Sequence, residues 1–280
     1  MKTIILNRKT DFKPKEYVYR TALETDYKTL IDYNCTMIDK ATGKLIGVYL
    51  VMPKTPRKLL MALMSIKYDK NKRLSGLITH SRIIGWKPRE VIRNDFCTSA
   101  GLATEHPGFH KTICDFAKIL TKYYKKNCPE IFLQHAQITK DKILPEWVIK
   151  GSPFTSGIIN KDNALHYHYD SGNLKDVYSS MVAFKSNTKG GHLALPEYDI
   201  GLEISNNSIL LFDGQKILHG VTPFKMLSRH SYRYSIVYYT LRQMWNCEPL
   251  TNELARYKTR RTVLEKNRLL RLQGKIPNVI

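Results

Sequence analysis

Between Leu165 and Asn173 the chain reads Leu-His-Tyr-His-Tyr-Asp-Ser-Gly-Asn, so His166, His168 and Asp170 fall at alternate positions. In an extended segment alternate side chains emerge on one face, and His168 and Asp170 can then grip one metal ion. A third imidazole, His219, closes the run Ile209-Leu-Leu-Phe-Asp-Gly-Gln-Lys-Ile-Leu-His219, where a neighbouring strand would bring it alongside. Two imidazoles and a carboxylate leave three coordination positions open, which suits non-haem iron and a reaction that admits a co-substrate and dioxygen. Further on, Ser231-Tyr-Arg-Tyr-Ser-Ile-Val-Tyr-Tyr239 reads as a strand whose alternation sets Arg233 and Ser235 on one face. A buried arginine needs an anion, and the planar distal carboxylate of 2-oxoglutarate fits the guanidinium fork, with the Ser235 hydroxyl as a second donor.

These residues need strands to hold them. From about residue 147 the sequence turns to short apolar runs broken by Gly, Asn, Asp and Pro, the pattern of an all-β sandwich or barrel. Strands are expected near Ile158-Ile159, Leu165 to His168, Ser180 to Phe184, His192 to Leu195, Gly201 to Ile204, Ser208 to Phe212, Gln215 to His219, and Tyr232 to Thr240. Eight short strands suit a jelly roll. Upstream, Cys35 to Met52 reads as two strands around the Ala41-Thr42-Gly43 turn. Thr55-Pro56 reads as an N-cap and first-turn proline opening a helix through Leu59, Leu60, Leu63 and Met64. Ile113, Phe116, Ala117, Leu120 and Tyr124 recur at helical spacing and are expected in the core. The fold class is α+β: a double-stranded β-helix (jelly-roll) core over 147–247, supported by a mixed N-terminal elaboration over 1–146 and followed by a basic C-terminal helix over 248–280.

The HxD pair, Gly190-Gly-His-Leu-Ala-Leu-Pro-Glu-Tyr198, Leu210-Leu-Phe-Asp-Gly214, His219-Gly-Val-Thr-Pro223 and the closing Arg-x-Ser together resemble the 2-oxoglutarate oxygenases. More narrowly, His168-Tyr-Asp-Ser-Gly-Asn173, the Gly-Gly strand and Tyr232-Arg-Tyr-Ser-Ile-Val-Tyr-Tyr239 look like the TET/JBP branch, which oxidises the 5-methyl group of pyrimidines in DNA. The compact spacing is similar to phage-encoded members. The resemblance runs from Trp147 to Trp245. It implies Fe(II) on His168, Asp170 and His219, 2-oxoglutarate on Arg233 and Ser235, dioxygen as co-substrate, and no protein general acid or base. It also implies duplex DNA with a 5-methylcytosine or thymine flipped out against an aromatic wall, for which Tyr167, Tyr169, Tyr178 and Tyr198 are available. Asn173 and His192 are the candidate substrate contacts.

Composition agrees with a polyanionic partner. Lysine and arginine number 45 against 24 acidic residues, a net charge of +21, well beyond what solubility requires. Lys54, Arg57, Lys58, Lys70, Lys72 and Arg73, with eight basic residues against Glu265 between Arg256 and Lys275, are placed to hold phosphates. No signal peptide, membrane span or Trp/Phe-faced amphipathic helix is legible, which favours an intracellular protein without a membrane partner. Cys35, Cys97, Cys114, Cys128 and Cys247 are scattered and odd in number, and read as thiols in a reducing compartment. Some assignments stay open. His166 shares the face of His168, but a carboxylate balances ferrous charge better, and the glutamate expected of an HxH site is absent after it. Arg229 and His230 lie in a turn-like stretch and are poorer anion ligands than Arg233. Other readings keep the iron with a protein side chain, RNA, a free nucleotide or another metabolite as substrate, or make the chain a non-enzymatic nucleic-acid-binding barrel.

Overall fold

The computed structural model describes residues 1–89, 96–273 and 275. The first part of the chain forms strands β1 (Lys2–Leu6), β2 (Thr29–Ile31), β3 (Cys35–Asp39) and β4 (Leu45–Val51), then helix α1 (Arg57–Ser65). Strands β5 (Asp69–Lys72), β6 (Ile78–Lys87) and β7 (Thr98–Ser99) follow, leading to helices α2 (Gly101–Glu105), α3 (Pro107–Asn127) and α4 (Pro129–Lys142). Beyond these come β8 (Ser156–Lys161), β9 (Ser179–Ser186), β10 (Thr188–Gly190), β11 (Leu193–Leu195) and β12 (Ile200–Leu202). The last strands are β13 (Ser208–Phe212), β14 (Gly220–Val221), β15 (Phe224–Met226) and β16 (Tyr232–Tyr239), before helix α5 (Leu250–Leu272).

Strands β1-β3-β4-β13-β9-β16-β8-β6-β5 make one large sheet in that order, with β7 attached to β6, and β14-β11-β12-β2 make a smaller one. Period-two alternation in the central strands gives the large sheet two apolar faces. Val182 and Phe184 of β9, Ile209 and Leu211 of β13, and Ile236 and Tyr238 of β16 pack towards α1 and α3. Their neighbours Met181, Ala183, Leu210 and Phe212 pack against Leu193, Leu195, Ile200 and Leu202 of the smaller sheet. Burial on both faces explains why these strands read as nearly continuous apolar runs. The helical stripe is as expected: Ile113, Phe116, Ala117, Leu120 and Tyr124 are all buried on α3. The two sheets facing each other are the jelly-roll core. Strands from residues 1–146 extend it on both flanks, β1, β3 and β4 on one side and β5 and β6 on the other, so residue 147 is no break in the sheet.

Three local expectations are corrected. Thr55 is not a cap: Pro56 itself precedes the first helical residue with extended backbone and makes no side-chain cap. Leu165 to His168 is not a ladder strand: the chain bends at Tyr167 and its backbone groups find separate partners, Tyr167 N donating to Arg20 O and Val221 N to Leu165 O. Only His168 and His219 form an antiparallel bridge there. Gln215 to His219 is a turn leading into β14, since the Asp213 carbonyl accepts from Lys216 and Ile217 and its carboxylate accepts from Gln215 N. The cysteines also depart from expectation. Cys97 and Cys247 form a disulfide across 150 residues, a pairing that no sequence spacing announces; Cys35, Cys114 and Cys128 are free. Among the described residues no helix is long and apolar enough to cross a membrane.

One buried group makes the fold sensitive to acid. His135 on α4 is buried; Thr240 donates its hydroxyl to Pro153 O, so His135 Nε2–H donates to Thr240 Oγ1 at 2.7 Å. Its Nδ1 is buried without a partner among the described residues, and burial pushes the imidazole down to about 3. The unfolded chain takes up this proton near pH 6.5, while the folded one resists until about pH 3. Stability from this group is therefore complete above about pH 6.5 and falls as pH drops towards 3, by about 1.4 kcal/mol per pH unit within the window. Melting temperature between pH 7 and 4 should fall more steeply for the native chain than for His135→Leu. Parallel slopes would refute the assignment.

Candidate metal centre and co-substrate pocket

Between the two sheets lies a cavity of about 430 Å³, within the roughly 300–1,000 Å³ typical of small-ligand sites. One wall is the inner face of the large sheet: Ile158 and Asn160 on β8, Met181 on β9, and Arg233, Ser235, Val237 and Tyr239 on β16. The other includes Leu193, Phe212 and Val221. The alternation of β16 thus sends its odd-numbered side chains into the cavity and its even-numbered ones to the helices.

His168, Asp170 and His219 meet in this cavity, each offering one donor atom, with all three atoms within 4.8 Å of one another. The Nε2 atoms of His168 and His219 each stand 3.8 Å from Asp170 Oδ1. The backbone bridge, with His168 N donating to His219 O at 2.9 Å and His219 N to His168 O at 3.1 Å, sets the imidazoles side by side. Each Nδ1 lies against a carbonyl of its own chain, that of His166 at 2.8 Å and that of Ile217 at 2.9 Å. A carbonyl only accepts, so both Nδ1 atoms carry hydrogen and both Nε2 lone pairs face the shared centre, the arrangement metal-binding histidines need. Burial, then the neighbouring His219, push the His168 imidazole down to about 4, with Asp170 opposing and Arg73 adding to the drop. At neutral pH it therefore offers a lone pair with no proton to displace. His166 lines the cavity but stands apart from the triad, its Nε2 3.4 Å from Thr21 Oγ1.

Asp170 is held by glycine as much as by hydrogen bonds. Its N–H donates to Gly214 O at 2.8 Å, and a Cβ at Gly214 would overlap Asp170 Oδ2 and lie 2.9 Å from its Cγ. Gly214 does not need a positive φ; the site needs its missing side chain.

Arg233, which lines the same cavity, is only 3% exposed. Its Nη1 and Nη2 donate to Asn163 O and Gly191 O, both at a long 3.3 Å, and Nε has no partner among the described residues. Gly191, at φ +75°, makes room: a Cβ there would sit 3.0 Å from Arg233 Nε. Burial lowers the guanidinium to about 10, with Asp162 working the other way, so the group stays charged at neutral pH. A charged, buried fork with one donor unused, lining a cavity, is an incomplete anion site. Ser235 lies one step along the same strand face, also buried. The donor set and the fork therefore fit a divalent metal and a dicarboxylate in one chamber.

Other expected residues divide. Asn173 lines the cavity and its Nδ2 donates to Ser179 Oγ at 3.3 Å. His192 is not among the lining residues; its Nδ1 pairs with Tyr27 Oη at 2.6 Å. Tyr167 and Tyr169 line the cavity, but Tyr167 is fully buried and donates its hydroxyl to Asp26 Oδ2 at 3.0 Å, while Tyr178 and Tyr198 spend theirs on Leu45 O and Asp39. Arg229 and His230 are exposed and pair with each other. Sequence reasoning missed Gly214, Leu74 and Tyr19. The Asp213-Gly214 turn signal was visible, but not what the glycine faces.

Residues 93–242 match the model of the Tet_JBP family, described as the oxygenase domain of the 2OGFeDO superfamily; the match starts earlier than the sequence resemblance, which began at Trp147. The bifunctional helicase and thymine dioxygenase JBP2 of Trypanosoma brucei brucei (strain 927/4 GUTat10.1) is 25% identical over 125 residues, 45% of this chain and 11% of that protein. Thymine dioxygenase JBP1 of Trypanosoma brucei brucei is 25% identical over 118 residues, 42% of this chain and 14% of that protein. The matched stretch is thus a small part of either relative's length. Among solved structures, NgTET1 in complex with 5mC DNA aligns over 92% of this chain and 90% of that one, with a TM-score of 0.61 and 13% identity, a likeness of fold. With the family's pattern running through more than half of its residues, the chain belongs to the Tet_JBP family of oxygenase domains, within the superfamily that uses 2-oxoglutarate and Fe(II).

Proposed function

We propose that the protein is an Fe(II)- and 2-oxoglutarate-dependent dioxygenase that hydroxylates the 5-methyl group of a pyrimidine, 5-methylcytosine or thymine, in DNA. The observation that carries this is one chamber lined by both a His-Asp-His cluster and a buried, incompletely paired Arg233. Iron(II), 2-oxoglutarate and dioxygen together supply an oxidation in which the keto acid becomes succinate and carbon dioxide while one oxygen atom enters a C–H bond. In this reading His168, Asp170 and His219 hold the metal, and Arg233 with Ser235 receives the distal carboxylate. The apolar walls keep bulk water from the reacting atoms, and Asn173 and Tyr169, which line the cavity, are the residues the base would meet. No residue is asked to move a proton.

DNA as substrate is supported by the net charge of +21 and by the lysines and arginines of β5, its turn and α5. It is also supported by the thymine dioxygenases of the same family and the fold shared with a protein solved on 5mC DNA. The test is anaerobic loading with Fe(II) and 2-oxoglutarate, exposure to oxygen with DNA carrying 5-methylcytosine or only thymine, and mass spectrometry of nucleosides and succinate. One added oxygen on either base, absent with Asp170→Ala, is the expected outcome and names the substrate. Succinate without a modified base would retain the oxygenase and reject DNA. Neither product from iron-loaded protein would reject the enzyme.

A further inference from the structure

The turn between β5 and β6 presents Leu74 at its tip, 92% exposed. A single exposed leucine needs no explanation in itself; its surroundings supply one. Arg73, Leu74, Ser75 and Leu77 line the same cavity as His168 and His219, so the hairpin stands at the cavity's edge. It is also basic. Lys70, Lys72 and Arg73 sit on it, while its one acid, Asp69, is paired with Arg82 at 2.7 Å. The tip is stiff as well. Arg73 N donates to Leu77 O and Gly76 N to Arg73 O, both at 2.9 Å, and Arg73 Nε donates to Thr79 Oγ1 at 3.2 Å.

A methyl group inside a duplex reaches a chamber between two sheets only if its nucleotide leaves the stack. The gap left behind must be filled, and apolar side chains on basic elements are what nucleic-acid-bending proteins insert between base steps. We propose that Leu74 is such a wedge: it enters the duplex where the target base departs, while Lys70 and Lys72 hold the flanking phosphates. This rests on the reading of duplex DNA as substrate. The chemistry of the hairpin matches duplex better than a small ligand, because a lid over a metabolite has no use for an uncompensated row of cations facing solvent.

The test uses the full chain without oxygen, on a duplex carrying 2-aminopurine beside a single 5-methylpyrimidine. Binding of the native protein should raise 2-aminopurine fluorescence as its neighbour unstacks. At saturating protein Leu74→Ala should give little of that rise, and Leu74→Phe should retain it. In air, the ratio of turnover on a paired target to turnover on the same base in a mismatch should drop at least about tenfold for Leu74→Ala, because a mismatched base costs less to extrude. A full fluorescence rise with Leu74→Ala, no rise with the native protein, or equal loss on paired and mismatched targets would overturn the wedge. A rise that depends on Leu74, with no oxidised base in air, would sustain the wedge and reject the proposed substrate.

Discussion

Gly214→Ala is expected to strip the protein of its metal almost as thoroughly as Asp170→Ala, although glycine 214 offers no ligand atom. The added Cβ falls on the Asp170 carboxylate, overlapping Oδ2, and comes within 3.3 Å of His219 Cε1. The backbone has little freedom to retreat. Gly214 O accepts from Asp170 N, and the preceding Asp213 carbonyl and carboxylate accept from Ile217, Lys216 and Gln215. The carboxylate is the mobile partner, so it turns away and the facial set loses its only anion. Disturbing groups that merely orient ligands commonly costs 10–100-fold in metal affinity; displacing a ligand should cost at least about 100-fold. Anaerobic titration with Fe(II), or Mn(II) as a redox-stable stand-in, reads this directly. Because glycine 214 needs no special φ, alanine should leave the fold intact, with melting temperature within a few degrees of native in the absence of metal. Native metal affinity in Gly214→Ala would show that Asp170 is not held where the geometry places it.

Much of this site was legible because its polar residues interrupt apolar strands. Arg233 and Ser235 stand out in a run of tyrosine, isoleucine and valine, and period-two alternation assigns them one face whatever the topology; β16 obeys it from Arg233 to Tyr239. His168 and Asp170 were legible for a different reason. Their alternation suggested a ladder strand, yet the segment is bridged only at His168. The two side chains nevertheless meet in the cavity, although the element expected to carry them did not form. The failures share one cause, dependence on partners remote in sequence. The flanking of the core by β3, β4, β5 and β6 is set by pairing between segments remote in sequence, such as Val51 with Ser208 and Gly85 with Ser156. The disulfide joins residues 150 apart. Gly214 reads locally as turn chemistry, and only the folded chain reveals the carboxylate beside it. Leu74 reads as an ordinary turn residue until the cavity edge is known.

Arg233→Leu is expected to separate binding of the co-substrate from stability of the fold. If Arg233 were structural, its loss would leave buried partners unsatisfied and lower the melting temperature. The structure gives it few such partners: two carbonyl contacts at 3.3 Å, the Phe224 ring with its centroid 5.3 Å from the guanidinium carbon, an Nε with none among the described residues, and Asp162, whose carboxylate accepts from the backbone N–H of residue 233 at 2.8 Å. Removing a poorly compensated buried charge in favour of an apolar side chain is often neutral or stabilising. Without 2-oxoglutarate, Arg233→Leu should therefore melt at or above the native temperature. With 2-oxoglutarate and metal the order reverses, since ligand binding to the native state raises its stability and the variant should lose that rise. A charge-assisted bidentate pair of about 3 kcal/mol corresponds to about a 100-fold rise in KM for 2-oxoglutarate. Fe(II) affinity should change little, because Arg233 makes no hydrogen bond to His168, Asp170 or His219. DNA affinity should not change, because the guanidinium is buried. Arg233→Lys should recover little, as a point charge cannot reproduce the fork. A variant that melts lower without ligand yet keeps its 2-oxoglutarate-dependent shift would make Arg233 a structural arginine and require a different seat for the distal carboxylate.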